Sequence, residues 1–235
     1  KLTDAAMNSD FNYSFIDNNK KGDLTRLEGY LFPDTYEFFV DEDPTHALSR
    51  LLDNFNTKMS DELMQKVEAS GYSLNQILTI ASLIEKETDG TDQRDIASVI
   101  YNRLCSKLYP CLEIDATIQY ALAERKEILS NADKGVLSPY NTYTNAGLPA
   151  GPIANPGMNS IRAALYPAET KYYFYALDTT GVHHFSETYY EHQNFLNELA
   201  GKDEEEDQQT VTGDETTADQ TGDTADTENQ TDGQT

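Results

Sequence analysis

One carboxylate of this sequence occupies a position that suits it for acid–base chemistry. In the segment 74–88, apolar side chains recur at helical spacing, and at about 100° per residue Glu85 projects between Leu74 and Leu78. Glu87 lies at the margin of this apolar stripe. Burial disfavours the charged form of a carboxyl group and raises its pKa, which a general acid working near neutral pH requires. The pattern therefore predicts that Glu85 is buried and acts as a general acid and base.

A structural ion pair is the alternative interpretation of Glu85. Arg94 and Arg103 follow in the next predicted helix, and either guanidinium group could neutralise an inward-facing carboxylate. The side chain could also reach solvent at the end of its helix. The residue types alone leave these interpretations open.

Two further polar residues, Asp115 and Gln119, are one helical turn apart at the start of a predicted helix over 116–125. This spacing places both side chains on one face, where they could line a cleft, with Glu113 as a further cleft candidate. Asp115 also stands immediately before the helix, where an N-cap residue lies, so capping is its alternative role.

The segment 130–157 is rich in Gly and Pro and longer than most connections between elements, which favours a functional loop. Within it, Asn141 and Tyr143 could bind a ligand, because an amide forms hydrogen bonds and a tyrosine ring offers an apolar face with a polar tip. Scaffolding of the loop itself is the alternative role of both residues.

The histidines near the end of the chain do not predict a metal site. A metal site needs three or four converging ligands. His183 and His184 are neighbours in a predicted strand and therefore point to opposite faces. With His192 alone added, the expected set of ligands is incomplete.

These candidates depend on a mainly helical framework. The predicted helices begin with one at Pro44 and continue over 60–69, 74–88, 93–105, 116–125, 159–166 and 188–200. Aromatic-rich segments at 27–40 and 171–187 predict a small β-sheet, in which Pro33 favours an edge strand. The expected fold class is α+β, with a mainly helical core and a small sheet.

Composition narrows the classes of function. The 235 residues include 17 Lys and Arg against 41 Asp and Glu, a formal net charge of −24, which disfavours binding to nucleic acid. No run of about 18 apolar residues exists to form a transmembrane helix. Cys105 and Cys111 are either a small disulfide loop or two unrelated thiols. The acidic segment 201–235 has too few apolar residues to fold and is predicted to be disordered.

Several stretches of the chain carry a pattern that is specific as a set. They are LEGYLFPDTYEF at 27–38, ASLIEKET at 81–88, RDIASVIYNRL at 94–104, LEIDATIQYAL at 112–122, SPYNTYTNAGLPAGPIANPGMNSIRAALYPA at 138–168 and GVHHFSETYYEH at 181–192. In this order, and over residues 27–195, the chain resembles the YceG-like (MltG) family of endolytic murein transglycosylases.

The resemblance implies a lyase that cuts nascent peptidoglycan strands internally and terminates their elongation. It would cleave the bond between N-acetylmuramic acid and N-acetylglucosamine, leave 1,6-anhydro-N-acetylmuramic ends, and need no cofactor. The family's catalytic Glu falls on Glu85, the first Glu of the EKE segment. Asp115 and Gln119 match a segment of the family and are expected to bind substrate, and Asn141 and Tyr143 could hydrogen-bond to its sugar rings and stack on them. His183 and His192 match family positions, with a role near the cleft or in local hydrogen bonding, and His183 is expected to bind substrate.

The resemblance also implies a cellular setting and a division into domains. A single N-terminal anchor, absent from this sequence, would hold the enzyme at the extracytoplasmic face of the bacterial membrane, with peptidoglycan synthases as partners. Residues 1–40 would be the end of a LysM-like subdomain with a linking strand. Residues 41–200 would be the catalytic domain, and 201–235 the disordered acidic tail.

Two other functions remain open at this point. A muramidase would hydrolyse the same bond but needs a second carboxylate, for which Asp115 is the candidate. A wall-binding module without turnover would have no need of a desolvated acid, so an inward Glu85 argues against it.

Overall fold

The computed structural model describes residues 1–88 and 90–211, and residues 1–193 form one compact unit. The helices of the described chain are α1 (Leu2–Asn8), α2 (Pro44–Lys58), α3 (Asp61–Ser70), α4 (Leu74–Glu87), α5 (Gln93–Leu104), α6 (Asp115–Ala121), α7 (Asn131–Lys134), α8 (Met158–Leu165) and α9 (Tyr189–Val211). Two antiparallel strands, β1 (Phe174–Leu177) and β2 (His183–Ser186), form a small sheet. The predicted α+β class, mainly helical with a small sheet, is confirmed.

Local signals in the sequence set the ends of the helices nearest the site. The Ser60 hydroxyl accepts a hydrogen bond from the Leu63 backbone N–H at the start of α3, and Gly71 ends that helix in the left-handed region at φ 76°. Ser73 and Gln76 form a reciprocal capping box at the start of α4. Because this cap fixes where α4 begins, it also fixes which way every later side chain of α4 points.

Helix α4 runs through the middle of the hydrophobic core. Every residue from Ile77 to Ile84 is buried, with α5 and α8 packed against the helix and α3 and α6 contacting it as well. Full burial of a single Leu or Ile side chain contributes about 1.5–3 kcal/mol relative to exposure. The helix emerges from this core only after Ile84, so its last turn carries polar residues to the edge of the packed interior.

The prediction of a strand over 27–40 is wrong, because this segment forms turns and extended chain without a partner strand in the described part of the chain. The Asn155 side-chain oxygen accepts hydrogen bonds from the backbone N–H groups of Gly29 and Leu31 at 2.8 and 3.1 Å. These donors are therefore occupied by a side chain rather than by a partner strand. Gly29 has φ 88°, and a Cβ there would lie 2.7 Å from the Pro152 ring. The segment is docked closely against the Gly/Pro-rich loop.

The hairpin predicted over 171–187 is confirmed. Tyr175 of β1 pairs with Phe185 of β2, and Leu177 pairs with His183. Helix α5 supports the start of this hairpin, because the Asn102 amide donates to the Thr170 and Tyr172 carbonyl oxygens. The hairpin is thus fixed to the same helical core as α4.

Three other helices differ from the predictions. Helix α6 ends at Ala121, and its N-cap is Ile114, so the predicted capping by Asp115 is wrong. The segment 130–157 contains the short helix α7. Helix α9 continues to Val211, into the segment predicted to be disordered, while residues 212–235 lie outside the described part.

Other features of the described chain bear on the remaining predictions. Helix α1 packs against α2 within the same compact unit, and the assignment of 1–40 to a LysM-like subdomain stays a prediction. Cys105 and Cys111 are both free thiols. Among the described helices, none is both long and apolar enough to cross a bilayer.

Candidate active site

Glu85 does not lie in the core, so its predicted burial is wrong. The side chain is exposed, and its Oε2 accepts hydrogen bonds from the Gly157 backbone N–H at 3.0 Å and the Ser160 hydroxyl at 2.6 Å. Gly157 is the N-cap of α8. A carboxylate at a helix N-terminus is favoured by the unpaired N–H groups and the helix dipole. Glu85 therefore joins the end of α4 to the start of α8.

Glu87 has the environment that the sequence predicted for Glu85. It is the last residue of α4 and is half-buried, and its Oε2 accepts a hydrogen bond from the Tyr175 hydroxyl at 2.9 Å. Burial raises the pKa of the Glu87 carboxyl above its usual value. The Tyr175 hydrogen bond opposes this, the charge of Asp115 adds to it, and that of His183 opposes it. Glu87 is therefore disposed to hold a proton.

Two cavities meet at Glu87 and Asp115, which line both of them. The tyrosine cavity, of about 310 Å³, is lined by Glu87, Arg103, Asp115, Tyr143, Tyr175 and His192 among others. The basic cavity, of about 420 Å³, is lined by Lys86, Glu87, Asp115, Gln119, Tyr120 and Arg125 among others. A protonated carboxyl group at this junction can donate its proton to an atom of a substrate that spans the two cavities.

Asp115 lines both cavities with Glu87 and is held by the Gly/Pro-rich loop. Its carboxylate accepts a hydrogen bond from the Tyr143 hydroxyl, and the Lys134 ammonium group lies 3.3 Å from Asp115 Oδ1. The same ammonium group lies 4.7 Å from the centroid of the Tyr143 ring. Burial, followed by the bond to Asp115, raises the pKa of Tyr143. Of the predicted binding residues, Asp115 and Tyr143 thus face the cleft together.

Arg103 organises the wall of the tyrosine cavity. Its guanidinium group is buried and donates to the Cys111 and Tyr173 carbonyl oxygens at 2.8 and 3.1 Å and to the Glu113 carboxylate at 2.5 Å. Glu113 has φ 58°, which costs a non-Gly residue conformational energy. Arg103 therefore ties α5, the segment before α6 and the start of β1 together around the cavity, with Glu113 lining it as predicted.

Two predicted binding residues are engaged with the backbone of the protein. Asn141 is fully buried, and its amide donates to the Lys134 and Val136 carbonyl oxygens, while its own oxygen accepts from the Tyr143 N–H. This burial supports the scaffolding role of Asn141, and sugar binding by Asn141 stays a prediction. Gln119 lines the basic cavity but forms two hydrogen bonds with the Lys126 backbone, at 2.7 and 3.0 Å.

The histidines take two different positions. His183 is buried on β2, with Nδ1 2.6 Å from Asp92 Oδ2, and influences the cleft through its effect on the pKa of Glu87. Direct binding of substrate by His183 stays a prediction. His192 lines the tyrosine cavity with its ring stacked on Phe174, and burial lowers its pKa. In the described part of the chain, no group of three or more His, Cys, Asp or Glu is placed to hold a metal ion.

Sequence reasoning missed two residues that define the site. Tyr175 donates to Glu87, and Arg103 holds three segments of the cavity wall. A tyrosine in a short aromatic-rich strand carries no signal that marks it as the partner of a carboxylate. The sequence pattern offers Arg103 as a partner for Glu85, whereas in the structure its partner is Glu113, ten residues later in the chain.

Comparisons with known proteins agree on one family. A family model described as the YceG-like family matches residues 2–198. A curated protein of Bacillus subtilis (strain 168), named endolytic murein transglycosylase, is 39% identical over 167 residues, covering 71% of this chain and 46% of that protein. A protein of Streptococcus pneumoniae (strain D39) with the same name is 35% identical over 164 residues, covering 66% of this chain and 29% of that protein.

A solved structure extends the likeness to the fold. The crystal structure of a putative YceG-like protein from Listeria monocytogenes matches with a TM-score of 0.68 and 40% identity, covering 72% of this chain and 55% of that one. The chain spans about half the length of the B. subtilis relative and less than a third of the S. pneumoniae one.

Proposed function

The chain belongs to the YceG-like family, and on that premise we propose that it is the catalytic part of an endolytic peptidoglycan lytic transglycosylase. It cuts nascent glycan strands between N-acetylmuramic acid and N-acetylglucosamine and leaves 1,6-anhydro-N-acetylmuramic ends, which terminates elongation. The names of the relatives support the substrate and the reaction. The proposal includes action at the extracytoplasmic face of the membrane, anchoring by an N-terminal segment, and cooperation with peptidoglycan synthases.

The observation that carries the proposal is a carboxyl group of raised pKa at the junction of two cavities. A glycan strand that crosses from one cavity to the other would present its linking oxygen near Glu87. The sequence indicated Glu85 for this role. However, Glu85 is exposed and its Oε2 is occupied by the start of α8. We therefore propose Glu87 as the general acid and base, and retain Glu85 as the alternative to be tested beside it.

The reaction needs one carboxyl group that acts twice. Protonated Glu87 donates its proton to the glycosidic oxygen as the bond from that oxygen to C1 of the muramic acid breaks. Positive charge develops at C1, where the N-acetyl group of the same sugar can stabilise it. Ionised Glu87 then removes the proton of the C6 hydroxyl, whose oxygen bonds to C1. Water is not consumed, and Glu87 ends the cycle protonated.

Tyr175 assists the second half of this cycle. Its hydroxyl donates to Glu87 at 2.9 Å, and a hydrogen bond to a carboxylate is stronger than one to the neutral acid. The bond therefore stabilises the ionised form that must accept the C6 proton, while burial favours the protonated form needed first. The two influences bring the pKa of Glu87 to a value between that of a free carboxyl and that of an unassisted buried one.

One observation favours hydrolysis as a second candidate. Asp115 lines both cavities with Glu87 and is held by Tyr143 and Lys134. A second carboxylate at this position could activate a water molecule, as an inverting muramidase requires. A wall-binding module without turnover is not favoured, because a binding surface has no use for the raised pKa of Glu87.

Mass spectrometry of the fragments released from uncrosslinked peptidoglycan separates these proposals. The protein is expected to release anhydro-muramic ends, Glu87→Gln to release none, and Glu85→Gln to release the same product. Reducing ends in place of anhydro ends would establish hydrolysis. Loss of activity in Glu85→Gln with retention in Glu87→Gln would return the catalytic role to Glu85.

A further inference from the structure

The basic cavity brings together two cations that have no ion-pair partner among the described residues, in a strongly acidic protein. Lys86 and Arg125 both line it, although the chain as a whole carries a formal charge of −24. Within the described residues, neither side chain forms an ion pair or a hydrogen bond. Lys86 is close enough to Glu28 for its charge to lower the pKa of that half-buried carboxyl, whose burial raises it. The two cations are thus available at the cavity surface.

The carboxylates of the cavity do not use these cations. Asp115 is paired with Lys134 at 3.3 Å and accepts a hydrogen bond from Tyr143. Glu87 is disposed to hold a proton, because burial raises its pKa. Within the described chain, Lys86 and Arg125 are therefore left without a carboxylate partner at this end of the cleft, whereas Arg103 in the tyrosine cavity is paired with Glu113.

The position of Arg125 is fixed by the fold. After α6 ends at Ala121, the chain turns back, and both polar atoms of the Gln119 side chain bond to the Lys126 backbone. This pair of hydrogen bonds holds the segment that carries Arg125 beside the cavity. Lys86 precedes Glu87 in the last turn of α4. The two cations thus come from two different elements and line one cavity.

We infer that the basic cavity binds a carboxylate of the peptide stem on muramic acid, so that the enzyme selects peptide-bearing glycan. This inference rests on the proposed function. N-acetylglucosamine is uncharged, whereas muramic acid bears a lactyl-linked peptide that ends in a free carboxylate. The asymmetry of charge across Glu87 therefore places the peptide-bearing sugar on the side of Lys86 and Arg125. Lys86 and Arg125 act as specificity-determining residues.

Binding to two forms of one glycan tests the inference. Fluorescently labelled, uncrosslinked strands are prepared with their amines acetylated, and half are treated to convert the stem carboxylates to primary amides. Affinities are measured by anisotropy on the Glu85→Gln, Glu87→Gln double variant, which lacks both candidate acids and leaves the strands intact. We expect carboxylate-bearing strands to bind about fivefold to tenfold more tightly, the combined effect of two partly exposed ion pairs, and the preference to shrink as salt rises.

Two pairs of substitutions show which side chains cause the preference for carboxylate-bearing strands. Added to this double variant, Lys86→Gln with Arg125→Gln should reduce the preference to about one. Lys107→Gln with Lys171→Gln removes the same charge from exposed positions outside both cavities and should leave the preference unchanged. Equal binding of both strands by the parent, or a preference that survives in the first pair, overturns the inference. Because cleavage is not measured, a failure of the proposed chemistry is recorded separately by the product analysis.

Discussion

Replacing Tyr175 by Phe removes the hydroxyl that donates to Glu87 at 2.9 Å while keeping a ring in the same place. A hydrogen bond to a charged group contributes about 1.5–3 kcal/mol, and about 1.4 kcal/mol corresponds to one pH unit. This bond favours the ionised carboxylate. Its loss should therefore raise the pH at which Glu87 loses its proton by about one to two pH units.

The assay is the pH dependence of kcat/KM for release of anhydro ends, which reports the free enzyme's essential acid. Activity should fall on the alkaline side as Glu87 ionises, and in Tyr175→Phe this fall should move to higher pH, with a lower maximum. Tyr101→Phe is the control, since its hydroxyl donates to the Ala164 carbonyl oxygen away from the cavities. An unmoved alkaline limb in Tyr175→Phe, or an equal movement in Tyr101→Phe, would refute the reasoning.

Three further predictions concern stability, each measured by urea unfolding. Glu87→Gln should raise the free energy of unfolding at pH 8 but not at pH 4. The pKa of Glu87 is higher in the folded protein than its value of about 4.5 in the unfolded chain, so stability falls as the pH rises from the unfolded pKa through the folded pKa. A gain that does not depend on pH would contradict this prediction. Glu85→Gln should lower the free energy of unfolding by about 0.5–1 kcal/mol, because the start of α8 loses a negative charge. About 1 M salt should diminish this effect. Gly29→Ala should lower the free energy of unfolding by about 1–3 kcal/mol more than Gly22→Ala does. Both glycines have φ 88°, but only at Gly29 would the added Cβ meet Pro152. Equal losses in the two variants would contradict this steric explanation.

The sequence predicted most of the helical framework, because the signals for helices are local. Ser60, Gly71 and Ser73 act within one turn of the helix ends that they define. Local sequence patterns also predicted the hairpin over 171–187. The strand expected at 27–40 failed because Asn155, far along the chain, takes the backbone donors that a partner strand would have used.

The site was predicted less well because burial is a property of the whole fold. A helical wheel compares side chains around one axis and contains nothing about what covers the helix at each level. Glu85 has the apolar neighbours on the wheel, but α4 leaves the core before reaching it. Glu87 is covered by Tyr175, which is 88 residues away in sequence. Only the packing of the hairpin against the helical core decides which of the two carboxylates loses solvent.

The capping box at Ser73 makes α4 intolerant of changes in length. One residue inserted between Ser73 and Glu85 would turn the end of the helix by about 100° and bring Lys86 to the position that faces Tyr175. The cleft would then hold an ammonium group in place of its acid, and the start of α8 would lose its carboxylate. A single substitution at Glu85 or Glu87 removes one of these functions, whereas an insertion or deletion removes both at once. We therefore expect the number of residues from Ser73 to Glu87 to be the same in every active relative.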